Sequence, residues 1–101
     1  MTNEPALSSR QRKYLKGLAH ELEPVVMIGR ATVSRGVVAE TQNALESHEL
    51  IKVRIDADEG ADRKTMAADL AEKTDSKLVG TIGKIAILYR QRAENPKIRL
   101  P

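Results

Sequence analysis

Side chains able to break a bond or hold a metal are sparse in this sequence. Cysteine is absent, which removes disulfides, thiolate zinc sites and cysteine nucleophiles and fits a reducing compartment. Of the two histidines, His48 falls on the apolar side of a helical pattern, near its end, where a packed or capping role is expected. His20 keeps company with Lys13 and Lys16, within reach of a phosphate or of solvent. No H-x-x-x-H pair provides metal-ligand spacing. The acidic "DADEGAD", 56–62, lacks the spacing and terminal glutamate of an EF-hand loop and reads as a solvated turn. Ser8, Ser9, Ser34, Ser47 and Ser76 have no G-x-S-x-G setting. "GTIGK", 80–84, lacks the spacer and the trailing hydroxyl of a P-loop. The expectation is a protein with no catalytic residue, no metal and no cofactor.

A different chemistry is concentrated in "VVMIGRATVSRGVVAE", residues 25–40. An apolar strand runs through a short connection into a helix, and that connection holds Gly29, Arg30, Ala31, Thr32, Ser34 and Arg35. A strand-to-helix turn aims backbone N–H groups outward, and a helix N-terminus carries positive potential. Gly29 admits close approach of a phosphate, Arg30 and Arg35 add cationic arms, and Thr32 and Ser34 add hydroxyls. The same residues also read as a capped helix start with two solvated arginines. The cations Lys13 and Lys16 beside His20, and a basic C-terminal stretch, favour an anionic polymer as ligand.

The elements that must position these residues follow from periodicity. "SSRQRKYLKGLAHEL", 8–22, reads as a helix capped by Ser8 or Ser9, with Leu15, Leu18, Ala19 and Leu22 on one stripe. Lys13, Lys16 and His20 fall on roughly the opposite face. Gly17 inside it points to close packing or to close approach of a ligand. "VVMIG" reads as a strand buried on both faces. Ser34 is the expected N-cap of a helix over 35–48, with Val37, Val38, Thr41, Ala44, Leu45 and His48 on its inner side. "ELIKVRI", 49–55, alternates: Ile51, Val53 and Ile55 face one way, and Leu50, Lys52 and Arg54 face a side partly open to solvent. "DRKTMAADLAEKT", 62–74, reads as a third helix. "KLVGTI" and "KIAILYR" form a hairpin through Gly83-Lys84, glycine suiting the first position of a type II′ turn.

The resulting order is α-β-α-β-α-β-β, an α/β sandwich with helices on a four-stranded mixed sheet. With 101 residues the chain is one domain, with 1–7 a flexible leader, 8–90 the folded unit and 91–101 a basic, partly ordered tail. Phe and Trp are absent, so the core must be aliphatic. No apolar run approaches a membrane span and no signal peptide is legible, so a cytoplasmic, membrane-free protein is expected. The net charge of +3 is unevenly spread. Residues 1–36 hold six Lys/Arg against three Asp/Glu, 37–76 five against ten, and 77–101 six against one. A polarised surface of this kind attracts polyanions whatever the net charge.

"YLKGLAHELEPVVMIGRATVSRGVVAE", "ALESHELIKVRI" and "VGTIGKIAILYR" closely resemble the YhbY-like CRM domain family, over about Ser8 to Arg90. The resemblance implies a fold akin to the C-terminal domain of bacterial translation initiation factor three. It also implies RNA binding, with stand-alone bacterial members associating with precursors of the large ribosomal subunit. The family's loop carries G-x-x-G, similar to the clamp of KH domains. Here Gly29, Arg30 and Ala31 keep its start and Thr32 replaces the second glycine. The implied RNA-binding set is Lys13, Lys16, His20, Gly29, Arg30, Ala31, Thr32, Ser34 and Arg35, with Lys84 and Arg90 as further cations. The implied partner is ribosomal RNA in pre-large-subunit particles, bound by a monomer without turnover. Scarce aromatics argue against a base-stacking platform. A module binding ribosomal proteins or an assembly factor is the alternative, and a DNA-binding protein a third reading.

Overall fold

Ser8 accepts a hydrogen bond at Oγ from the Gln11 backbone N–H, and Gln11 Oε1 accepts one from the Ser8 N–H. This reciprocal capping box starts the first helix, α1 (Ser9–Ala19), at the position expected. The computed structural model describes residues 6–29, 33–57 and 60–101, the side chains of 60 and 61 excepted. After α1 come β1 (Pro24–Ile28), α2 (Arg35–His48), β2 (Leu50–Ile55), α3 (Gly60–Lys73), β3 (Lys77–Ile82) and β4 (Ile85–Tyr89). The strands lie in the order β1-β2-β4-β3, with β1 parallel to β2 and the other pairs antiparallel. Gly83 takes a φ of +57°, which a residue with a Cβ resists, and closes the two-residue β3–β4 turn. No described helix is long and apolar enough to cross a membrane.

Both faces of the sheet are covered, to different extents. On the first, α2 and α3 pack over Val26, Ile28, Ile51, Val53, Ile55, Ala86 and Leu88, contributing Leu45, Ala67 and Leu70. Thr41, though polar, is buried there because its hydroxyl donates to the Val37 carbonyl at 2.7 Å. On the second, α1 sets Leu15 and Ala19 on Leu50, Val79, Ile87 and Tyr89, and Leu7, Ile98 and Leu100 complete the layer. Full burial of a leucine such as Leu15 stabilises by about 1.5–3 kcal/mol.

Four expectations need correction. β1 is not buried on both faces: Val26 and Ile28 point inward while Val25 and Met27 are exposed. It is an edge strand, and α1 packs over β2 and β3, leaving the outer side of β1 uncovered. α1 stops at Ala19 rather than Leu22. The His20 N–H already bonds the Lys16 and Gly17 carbonyls and the chain turns, so Leu18 and Leu22 stay exposed. His48 is exposed, and the C-cap of α2 is Glu49. The C-terminal residues are held in place. The backbone N–H groups of Arg92, Lys97 and Ile98 donate to the Glu49 carboxylate, and Gln11 Nε2 donates to the Pro101 carbonyl.

Candidate functional site

α1 carries Arg10, Arg12, Lys13 and Lys16 and no carboxylate. At 100° per residue, Arg12, Lys16, His20 and Lys13 follow one another around a single flank, next to the buried Leu15–Ala19 stripe. Arg12 anchors that flank: its Nη1 donates to the Leu78 and Val79 carbonyls at 2.9 and 2.8 Å, at an irregularity in β3. Lys16 lies across the neighbouring Gly80, where an added Cβ would sit 2.8 Å from its Cε. Gly80 therefore leaves room for the end of the Lys16 side chain against the sheet. Farther along, Lys52 Nζ donates to the His20 carbonyl at 3.4 Å. Lys13, Lys16 and His20 are exposed. Gly17, also exposed, would place a Cβ in open space, so internal packing does not require a glycine there.

The other predicted residues gather at one end of the sheet. The parallel pairing of β1 and β2 brings their C-terminal ends together, and the antiparallel β4 puts Gly83-Lys84 at the same end. Hydrogen bonds tie this end together. The Asp56 N–H donates to the Ile28 carbonyl at 3.0 Å, the Ile55 N–H to the Lys84 carbonyl at 2.7 Å, and the Arg63 guanidinium to the Gly83 and Ala57 carbonyls at 3.0 and 2.8 Å. Gly29 is exposed with open space where a Cβ would be. Val33, buried in the first core, holds the far side of the connection. Ser34 accepts the Val37 N–H at 3.1 Å, as the N-cap expected, and its hydroxyl hydrogen remains available to a ligand. Arg35 and Lys84 are exposed. Arg30, Ala31 and Thr32 lie outside the described residues.

Among the described residues, Arg90 is the predicted RNA-binding residue that the geometry removes from this face. It follows β4 at the opposite end of the sheet, and its guanidinium is spent on Gln42 Oε1, the Thr74 carbonyl at 2.8 Å, the Gln42 carbonyl and Glu46. A guanidinium whose two terminal nitrogens are bonded to α2 and to the residue after α3 is a structural clamp. Sequence reasoning misses two cations of the site, Lys52 and Arg54. The alternation of "ELIKVRI" places both on the second face, but only the path of α1 shows that Lys52 continues the Lys16–His20 flank. Among the described residues, no three His, Cys, Asp or Glu side chains gather as a metal site.

Helices on both sides of a four-stranded mixed sheet, with cations along one flank of α1 and a strand–loop–helix turn after β1, define a small α/β domain with a cationic surface. A family model for the CRS1/YhbY (CRM) domain matches residues 7–90, and the chain belongs to that family. It is 48% identical over 98 residues to a Haemophilus influenzae protein named "RNA-binding protein", covering 94% of this chain and 95% of the relative. It is 35% identical over 95 residues to Bacillus subtilis YqeI, named "Probable RNA-binding protein YqeI", covering 94% and 99%. The solution structure of SAV1595 from Staphylococcus aureus superposes with a TM-score of 0.85 at 37% identity, covering 94% of this chain and 99% of that one.

Proposed function

We propose that this chain is a non-catalytic RNA-binding protein. The observation that carries the reading is the α1 flank, where Arg12 anchors the helix to β3 while Lys13 and Lys16 are exposed to meet phosphates. The names of the H. influenzae and B. subtilis relatives support the same ligand. Phosphates are held along Lys13, Lys16, His20 and Lys52 and at the sheet end by Gly29, Ser34, Arg35 and Lys84. The loop of Arg30, Ala31 and Thr32 completes the clamp by analogy with G-x-x-G loops. Such interactions fix register, and the shape of a structured RNA supplies selectivity. The reading extends to ribosomal RNA in precursors of the large subunit, on the resemblance to stand-alone bacterial members, and to binding by a monomer in the cytoplasm. In-cell crosslinking with sequencing of the bound RNA tests this: precursor ribosomal RNA should dominate the reads, and an even spread over messenger RNA would contradict it.

A protein partner is the second reading. Leu18, Leu22 and Val25, all exposed, join Leu50 and Ile98 in an apolar groove of about 420 Å³ beside His48. Ribonuclease treatment before pull-down separates the two, since an RNA-held complex is lost and a protein-held one survives.

A further inference from the structure

The second face of the sheet is only half covered. α1 shields the rows built on Leu50, Tyr89 and Ile87, and the next row toward the Gly83-Lys84 end is left open, with Ile85 half-buried and its neighbours exposed. That row crosses all four strands, because Met27 pairs with Arg54, Arg54 with Ile85, and Ile85 with Ile82. Met27 is 60% exposed and Ile82 65%, the largest exposures among the large apolar side chains described. With strands about 4.8 Å apart, the row spans roughly 14 Å. Its borders are cationic: Lys16 and Lys52 on the α1 side, Arg54 within it, and Lys84 at the adjacent turn. Among the described residues, the carboxylate beside it, Asp56, is already paired with Arg54 at 3.1 Å.

We propose that this Met27–Arg54–Ile85–Ile82 row receives the bases of an unpaired RNA segment whose phosphates are held by Lys16, Lys52 and Lys84. The inference rests on the RNA reading and narrows it to RNA that carries unpaired nucleotides. A fully paired A-form helix offers phosphates, 2′-hydroxyls and base edges, none of which gains from a thioether and two isoleucine-sized surfaces. An unpaired base has an apolar face to bury and a phosphate within one side-chain length of it. Apolar side chains in a line, with cations alternating around them, match that pairing of chemistries. Its apolar members carry no strong hydrogen-bonding group and its one charged member, Arg54, is paired with Asp56, so the row tolerates any base and selects for single-strandedness rather than sequence.

The test compares the full chain with the double variant Met27→Ser, Ile82→Ser. Both positions are exposed, so circular dichroism and the thermal midpoint should match the parent. Affinity is measured for a hairpin RNA with an unpaired extension and for the same RNA annealed to its complement. The double variant should bind the unpaired form about tenfold more weakly, with an unchanged salt slope, and the paired form as the parent does. Equal affinity for the unpaired RNA, or equal weakening on both RNAs, would overturn the proposal. So would a ribonuclease-resistant protein complex that the double variant fails to form while its RNA affinity is intact. A parent protein that binds neither RNA would fail at the underlying RNA reading, a result readily told apart from a failure of the row.

Discussion

Glu49 is wholly buried and stands at a φ of +63°, where a residue with a side chain is strained. What offsets the strain is its carboxylate. One oxygen accepts from the Lys97 and Ile98 N–H groups at 2.7 and 3.0 Å, and the other from the Arg92 N–H at 2.9 Å. Glu49→Gln keeps the volume but turns one oxygen into a donor that must face a donor. Hydrogen bonds to charged groups are worth about 1.5–3 kcal/mol, against about 0.5–1.5 for neutral ones. Removing one such bond outright and weakening two others sums to a cost of about 2–4 kcal/mol, lowered if the C-terminal residues detach and take water instead. Urea unfolding reads the stability, and amide exchange at Arg92, Lys97 and Ile98 reads the local release. Burial pushes the Glu49 carboxyl upward, but the amides of Arg92, Ile98 and Lys97 and the Arg92 charge outweigh it and hold the group below its ordinary value of 4.5. The folded-state pKa is thus depressed. Its contribution is fully present above the unfolded value and is lost as pH falls through the folded one. The gap between parent and Glu49→Gln should therefore be widest near neutral pH and shrink in acid. Equal stability at neutral pH, with unchanged exchange at the three amides, would refute the reasoning.

Two further outcomes follow from single residues. Arg90→Ala should cost about 2–4 kcal/mol of stability, since it strands the Thr74 carbonyl and the Gln42 side-chain oxygen, and should leave RNA affinity unchanged; urea unfolding beside an RNA titration checks both. Gly17→Ala should stabilise the protein by about 0.5–1 kcal/mol, because its Cβ meets open space on a helix, and thermal unfolding measures it.

The element order is legible because each segment carries one clean period and its own punctuation. The Ser8 and Ser34 caps, the alternation of "ELIKVRI" and the Gly83 turn all act within a few residues of chain. Long-range partners are not legible. Nothing in "VVMIG" distinguishes a central strand from an edge strand, since both are apolar, and only the strand order exposes Val25 and Met27. Glu49 looks like an ordinary charged residue until amides more than forty positions away converge on it. Arg90 misleads for the same reason, its acceptors lying on α2 and after α3. Of the candidate site, the sequence reveals the residue types and the α1 flank, and the crossing of α1 over β2 and β3 adds Lys52 and the place of Gly80 under Lys16.

The most direct test of the central claim is the salt dependence of affinity for a structured RNA, measured on the parent and on Lys13→Ala, Lys16→Ala, with both shown to be folded by circular dichroism. If these lysines neutralise phosphates, binding weakens and the log–log slope flattens by roughly 0.7–0.9 for each phosphate no longer neutralised. An affinity and slope equal to those of the parent would contradict the account, because the flank that α1 presents would then not be where RNA is held.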